Sequence, residues 1–417
     1  MPPEDRGADV RSGLAGRAAV LAALGGLSLQ ACTSQPSAEK PASGSSARTA
    51  PNLGNRGYAL PDSPFTREDT VVTARCGVGA RYVGVVVTAW DPESWKPRAT
   101  RWFAVPENAA FNNYSGAKVI HSPLVDLCAG KAEAPAPYPT DSLEHIAPRV
   151  RALFDLSYTR MAVVLRDPGG KTASHVGFVK SDAEQDDAVR LNDAAGDNEQ
   201  NAVMSPDGRS VWFTYTSRDG RNRIGSRSAE GDHHLSDEGP AAGNDLPLTV
   251  TGKPARAVQA NMVHLAPDGH RITATAPKVF GTVFDTWNSS GPLSRTSARG
   301  AVLLSGCTGV VGWAGDDRVL CRTSSGSFRT TDARTGRAAG APISVVGPQD
   351  GTVAEGMLVS PDGTKFIVSV HRPNAEQDPD YGYHAPDFRV VLATRGGTAT
   401  DLADEELDLH TVFLSWS

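Results

Sequence analysis

Three aspartates sit in nearly identical frames: Asp207 in MSPDGRSVWFT (204–214), Asp268 in LAPDGHRITAT (265–275) and Asp362 in VSPDGTKFIVS (359–369). A carboxylate fixed in such a frame could act as a general acid or base, or offer oxygens to a cation. The local chemistry points elsewhere. Ser205-Pro206-Asp207-Gly208, Ala266-Pro267-Asp268-Gly269 and Ser360-Pro361-Asp362-Gly363 each fit a type I turn place by place. Ser suits the first corner, Pro presets φ at the second, Asp tolerates the third and Gly takes the last. A catalytic group is needed once, whereas a turn is needed in every repeat. The recurrent aspartate is therefore a turn element.

Other groups could carry chemistry. Asp186, Asp187, Asn192, Asp193 and Asp197 form one acidic loop, and Asp378 with Asp380 a second. Neither has the D-x-[DN]-x-[DN]-G spacing of a calcium loop, so both read as solvated loops. His233-His234 lies between Asp232 and Asp237. Adjacent side chains on a strand point to opposite faces, which opposes a shared metal. Trp90 with Trp95, and Trp287 within Asp285-Thr286-Trp287-Asn288, could stack on a sugar or peptide, although tryptophan in such segments packs more often between sheets. HExxH, GxxxxGK[ST], GxGxxG and GxSxG are absent from the sequence. No catalytic residue, metal or cofactor is assigned.

The elements that would position these groups are strands. After each turn come β-branched or alternating residues: Val211-Trp212-Phe213-Thr214, Ile272-Thr273-Ala274-Thr275 and Phe366-Ile367-Val368-Ser369. A type I turn followed by a left-handed Gly matches the twist of a hairpin. Degenerate copies stand at Trp313-Ala314-Gly315-Asp316-Asp317 and at Leu156-Ser157-Tyr158-Thr159-Arg160. The markers then fall at 157, 205, 266, 314 and 360, with intervals of 48, 61, 48 and 46. A unit of that length, filled with short strands, is the mark of four-stranded propeller blades. Residues 69–127 supply the further candidate strands DTVVTARC, RYVGVVVTAW, TRWFAV and KVIHS. The expected fold is an all-β propeller over 58–417. It has six blades, or seven if the fourth N-terminal strand belongs elsewhere. The terminal TVFLSWS is expected to pair with the N-terminal blade and close the ring. Helical periodicity is nearly absent, with 182–200 as the single candidate.

The SPDG turns at 205–208, 266–269 and 360–363 resemble those of the TolB-type, WD-repeat-like propellers, in which a (W)SPDG turn joins the first two strands of a blade. The resemblance covers 150–417 well and 69–127 in pattern. It implies the fold and a structural role for these residues, and it leaves function open, because such propellers serve as receptors, scaffolds and enzyme gates. Ser205–Trp212 is also similar to the Asp-box of sialidases, but Gly208 falls one position early and the other copies lack the tryptophan. The resemblance leads one to expect only blades after residue 150, with no following hydrolase domain.

The N-terminal region reads as an address. Arg6, Arg11 and Arg17 precede the apolar run 18–29, which would make about 18 Å of helix, short of a bilayer core of about 30 Å. Leu29-Gln30-Ala31-Cys32 resembles the lipobox of a bacterial lipoprotein. That resemblance implies a signal peptide over 1–31, lipid on the Cys32 sulfur, and cleavage before it. Residues 32–57, rich in Ser, Pro, Ala and Gly, read as a flexible tether. Cys76, Cys128, Cys307 and Cys321 remain, an even set that suits an exported chain. Of three pairings, Cys76–Cys128 and Cys307–Cys321 are favoured as closest in sequence. No CxxC occurs, and no histidine lies near these cysteines, so zinc is a poor reading.

Composition bounds the rest. The chain has 417 residues, 39% hydrophobic and 21% charged, with a net charge of −6. That is enough apolar material for a core and no attraction for nucleic acid. Taken together, these features point to a lipid-anchored extracytoplasmic binding module that touches the membrane through its anchor alone. Its partner would be an envelope or extracellular protein, peptide or glycan. The rivals are a glycan hydrolase or lyase with carboxylates at the channel mouth, and a structural subunit of an envelope complex. Replacing the anchor residue, Cys32→Ala, is expected to move the protein from the membrane fraction to the soluble one on cell fractionation. Unchanged membrane retention would remove the lipoprotein reading.

Overall fold

The computed structural model describes residues 61–78, 83–109, 122–128, 143–167, 173–184, 187–192, 198–241, 248–250, 253–255, 262–266, 271–280, 283–292, 302–324, 326–345, 351–372, 377–378, 382–383, 388–402, 407 and 411–417. Cys32, the signal region, the tether and the Pro267-Asp268-Gly269 part of the second turn lie outside them.

The chain first lays down β1 (Val71–Val78), β2 (Val83–Trp90) and β3 (Pro97–Ala104). Two helices follow, α1 (Pro123–Cys128) and α2 (Leu143–Arg151). Next come β4 (Arg160–Arg166), β5 (Ser174–Lys180) and β6 (Val189–Arg190), and then β7 (Glu199–Met204), β8 (Ser210–Thr216), β9 (Asn222–Ser228) and β10 (Leu235–Pro240). A small hairpin, β11 (Leu248–Val250) with β12 (Lys253–Ala255), precedes β13 (Met262–Leu265), β14 (Arg271–Phe280), β15 (Val283–Pro292) and β16 (Val302–Leu303). The fifth set is β17 (Gly309–Trp313), β18 (Arg318–Ser324), β19 (Ser327–Asp332) and β20 (Ile343–Ser344). In the last set, β21 (Val353–Val359) and β22 (Lys365–His371) are separated by a hairpin, β23 (Gln377–Asp378) with β24 (Gly382–Tyr383), from β25 (Arg389–Thr394) and β26 (Ala399–Leu402). The chain ends on β27 (Thr411–Trp416).

Apart from the two small hairpins, the described residues form six antiparallel sheets, five of four strands and one of three. This is a six-bladed β-propeller. Blade 1 has the order β27-β1-β2-β3, so the C-terminal strand supplies the innermost position of the first blade. Val71 faces Trp416 and Arg75 faces Thr411 across that ladder, and the Ser417 amide donates to the Thr70 carbonyl at 2.9 Å. The N-terminal candidates correspond to β1, β2 and β3. Because β27 completes the sheet, blade 1 has no need of KVIHS, which falls almost wholly outside the described residues.

The SPDG turns take the form their residues dictate. In the first, the Gly208 amide donates to the Ser205 carbonyl at 2.9 Å, and the Ser205 amide donates to the Ser210 carbonyl at 2.8 Å. Ser205 Oγ donates to Asp207 Oδ1 at 2.7 Å and accepts from the Ser210 amide, while Asp207 Oδ1 also accepts from the Arg209 amide. The third turn repeats this with Ser360, Asp362, Gly363, Thr364 and Lys365. Gly208 and Gly363 sit at φ 71° and 67°, where a side chain is strained. At the second turn, the Ala266 amide donates to the Arg271 carbonyl, the same closure. Ala314 and Gly315 mark a shortened version, closed on Arg318.

Blade 2 corrects two expectations. Its turn begins at Asp155 rather than Ser157: the Asp155 amide donates to the Arg160 carbonyl, and Asp155 Oδ1 accepts from the Thr159 and Arg160 amides. Tyr158, at φ 53°, takes the place that Gly fills elsewhere. The innermost strand is also shortened to residues 153–154, where the Ala162 amide meets the Leu153 carbonyl and Phe154 bridges to Met161. This is why the sheet β4-β5-β6 counts three strands. The described part of 182–200 holds a single 3-10 turn, in which the Asp187 amide donates to the Glu184 carbonyl at 3.1 Å, and then β6 and the start of β7, whereas the helices α1 and α2 were not expected.

The disulfides join Cys76 to Cys128 and Cys307 to Cys321. The first ties α1 to β1 through two fully buried sulfurs. The second links the entry of β17 to β18.

Burial works to raise the Asp362 carboxyl, but the bonds from Ser360 Oγ and from the Thr364 amide and hydroxyl outweigh it and hold it below its ordinary value. A carboxylate depressed in the fold stabilises above its unfolded pKa of about 3.9 and loses that contribution as pH falls through its folded value. Asp362→Ala is therefore expected to cost about 1 kcal/mol at neutral pH by urea unfolding. The gap to wild type should narrow below about pH 4.

Candidate functional site

Two places in a propeller can receive a ligand: the central channel and the clefts between blades. The channel is taken by the protein's own helix. Leu143, Ile146, Ala147 and Val150 recur at the spacing of one helix face. Of these, Ile146, Ala147 and Val150 are buried in one cluster with Leu153, Phe154, the β1–β2 core and Val412 and Leu414 of β27. Helix α2 packs against the innermost strands of four blades, β27, β13, β17 and β21. Just beyond it, the Ala152 carbonyl accepts the Met204 amide of β7, and residues 153–154 pair with β4. A helix about 10–12 Å across that meets all these strands lies on the axis of the ring.

The plug is pinned at its C-terminal end. Arg151 is 3% exposed, its guanidinium lies 4.4 Å over the Tyr158 ring, and Nη1 donates to the Phe154 carbonyl at 2.9 Å. A cation at a helix C-terminus and on an aromatic face is favoured twice. Tyr158 shares a hydrogen bond of 2.9 Å with Ser415 Oγ of β27, and burial pushes its hydroxyl above the usual tyrosine range. The unusual φ of Tyr158 thus places the ring between the plug and the closing strand.

Elsewhere three carboxylates, Glu199, Asp167 and Glu355, are each held by basic side chains. Glu199 opens β7; its Oε1 accepts from Arg227 Nε and Nη2 at 3.0 and 2.8 Å and from Asn192 at 3.1 Å. Its Oε2 accepts the Val176 amide of blade 2 at 2.9 Å, so both oxygens are engaged. Asp167 stands 3.1 Å from His175 Nε2 and 3.0 Å from Arg190. Burial works to raise the Asp167 carboxyl, and these two neighbours carry it below its ordinary value. Glu355 lies 3.7 Å from Arg322 and 4.0 Å from His371. Among the described residues no group of three or more His, Cys, Asp or Glu converges as metal ligands would.

The second place is open. A cleft of about 420 Å³ lies between blade 1 and blade 6, beside the third SPDG turn. Trp95 and Glu93 line it from the β2–β3 loop, and Lys365, Leu392, Asp401 and Leu402 from β22, β25 and β26. Lys365 is placed there by the turn itself, since its amide and carbonyl both bond to Ser360. The 91–96 loop is firmly wired. Asp91 Oδ1 accepts the Glu93 and Ser94 amides, its carbonyl accepts the Trp95 amide, and its amide donates to the Lys96 carbonyl. Arg98 binds Asp91 Oδ2 at 2.6 Å and holds the Asp69 carbonyl and Thr70 Oγ1 at 2.8 Å. The Ser94 amide, Arg98 and the Glu93 amide together hold the Asp91 carboxyl far below the usual range. Trp95 stands at φ 51° in this loop, half-buried against the core between blades 6 and 1.

The residues singled out in the sequence scatter. Trp90 is 1% exposed with Nε1 bonded to Thr73, so it is core, while Trp95 faces the cleft. His233 Nδ1 pairs with the Ser228 carbonyl, and Asp237 is held by Arg223, which carries its carboxyl below the usual range. Asp187 accepts the Glu184 amide. Asp186, Asp193, Asp197, Asp380 and the side chains of Asp378 and Trp287 lie outside what is described. Of the SPDG aspartates, Asp207 and Asp362 each serve their own turn, and Asp268 lies outside the described residues.

No family model and no curated protein matches the chain. Among solved structures it is similar to TolB from Acinetobacter baumannii, at 14% identity and a TM-score of 0.31 over 80% of this chain and 69% of that one. It is also similar to oligogalacturonate lyase from Vibrio parahaemolyticus, at 8% identity and a TM-score of 0.34 over 79% and 72%. An oligogalacturonate lyase in complex with manganese matches at 10% identity and a TM-score of 0.32, over 58% of this chain; the chain spans 62% of it. Scores this low carry nothing about activity. The fold, a β-propeller with SPDG turns, rests on the six sheets and their turns.

Tyr158→Phe removes the bond to Ser415 with the ring in place, and is expected to cost about 1 kcal/mol by urea unfolding. Double replacement with Ser415→Ala should cost little more than either change alone, since both act on one bond.

Proposed function

We propose that this protein is a binding module held outside the cytoplasm by lipid on Cys32, and that it recognises an envelope or extracellular protein, peptide or glycan. The observation that carries the reading is helix α2 on the axis. An enzyme working at the channel mouth needs that space for substrate, with carboxylates from several blades meeting there, about 5–10 Å apart in glycosidases. Here the axis is packed with Ile146, Ala147 and Val150 instead. The buried carboxylate of Glu199 and the half-buried one of Asp167 are each held by an arginine, Arg227 and Arg190.

Support for the address comes from the lipobox-like Leu29-Gln30-Ala31-Cys32, the tether over 32–57 and the even set of remaining cysteines. A module on such a tether reaches a surface within tens of ångströms of its membrane. The test is crosslinking in intact cells followed by isolation of the full chain. A partner recovered in stoichiometric amount supports the module. Absence of any partner, together with turnover of envelope glycan that depends on this protein, would replace the module with an enzyme.

A further inference from the structure

We infer that the cleft between blades 1 and 6 is a binding site for a neutral pyranose saccharide, stacked on Trp95. The inference rests on the binding-module reading and names the ligand class of its open site. Three features of the cleft lead to it.

The first is the conformation of Trp95. A bulky residue at φ 51° costs of order 1 kcal/mol or more, and it persists only where its surroundings over-determine it. Asp91 and Arg98 provide that over-determination, with hydrogen bonds to the loop backbone and to the chain before β1. The result is an indole fixed before any ligand arrives, which lowers the ordering cost of binding.

The second is the chemistry of the walls. Trp95, Leu392 and Leu402 supply apolar surface, and Glu93, Asp401 and Lys365 stand around it. Asp401 is oriented by Arg389, whose Nη1 lies 3.0 and 3.1 Å from its two oxygens. A purely apolar ligand would cover these charges without pairing them, at a desolvation cost. A phosphate or nucleotide would set its charge against two carboxylates. A pyranose ring offers what the walls ask for: a face of C–H groups for the indole and a rim of hydroxyls. Those hydroxyls donate to Glu93 and Asp401 and accept from the Lys365 ammonium.

The third is size and place. About 420 Å³ falls within the range of small-ligand sites, and the cleft sits where two blades meet, as ligand sites commonly do at element junctions. Lys365 and Trp95 come from opposite sides of the ring closure, so the site exists only when the propeller is shut.

The test is titration calorimetry of the detergent-solubilised full chain with cellohexaose and with chitohexaose. Wild type is expected to bind at least one with a Kd of about 1 mM or below. Trp95→Gly removes the indole at a φ that glycine adopts freely, so the fold is retained, and the affinity should fall at least about tenfold. Asp401→Asn, which keeps the shape, should weaken binding about threefold or more. Binding of neither sugar, or binding by Trp95→Gly equal to wild type with unchanged melting, overturns the inference. A protein partner still crosslinked by wild type in that case would leave the module reading standing without its saccharide.

Discussion

The ladder between β1 and β27 is the interaction on which the rest depends. A blade presents its strands edge-on to solvent unless the ring shuts, and an open ring leaves a row of unpaired amides and carbonyls at each end. Here closure joins residues more than three hundred positions apart, with Trp416 against Val71 and the Ser417 amide on the Thr70 carbonyl. The join falls inside a blade, between its innermost and second strands, so backbone hydrogen bonds hold it as well as side-chain packing. Its apolar side, Phe413 and Trp416 with Met357, Leu358 and Ile367, makes the core that unites the first and last blades.

Closure creates a second problem, a hollow axis, and the chain solves it between blades 1 and 2. Residues that would form the innermost strand of blade 2 arrive from helix α2, which occupies the axis before the chain turns outward at Asp155. The Cys76–Cys128 disulfide fixes α1 on β1, and α1 in turn packs on α2. Arg151, Tyr158 and Ser415 fix the exit on β27. The same closing strand therefore secures both the ring and its filling. The space inside the ring is thus packed with Ile146, Ala147 and Val150 of the protein's own helix.

Turn and strand were legible in the sequence because their signals are local. Ser-Pro-Asp-Gly specifies its own hydrogen bonds, and the positive φ of Gly208 and Gly363 is the conformation that glycine alone takes without strain. The closing strand was legible because TVFLSWS ends where the other blades begin their turn. Helix α2 carried a readable spacing in Leu143, Ile146, Ala147 and Val150, but Pro148 interrupts it and strand-like residues follow at once. Propensity within nine residues does not reveal that the innermost strands of four blades will pack around them. Tyr158 shows the same limit: an aromatic at a turn's left-handed position looks like a mismatch until its hydroxyl is seen to reach Ser415, 257 residues away in sequence.

The cleft was half legible for a related reason. Trp90 and Trp95 look equivalent as residues, and the ladder separates them: one ends a paired strand with its indole bonded to Thr73, the other stands in a loop. What distinguishes Trp95 is the capping work of Asp91, whose oxygens are consumed by the loop's own amides and by Arg98. The SPDG aspartates spend theirs in the same way, on a serine hydroxyl and a neighbouring amide. Through those bonds Asp362 and Ser360 place Lys365 at the cleft, although neither carboxylate nor hydroxyl touches it. The repeated aspartate thus belongs to the architecture, and it reaches the site by fixing where the next strand begins.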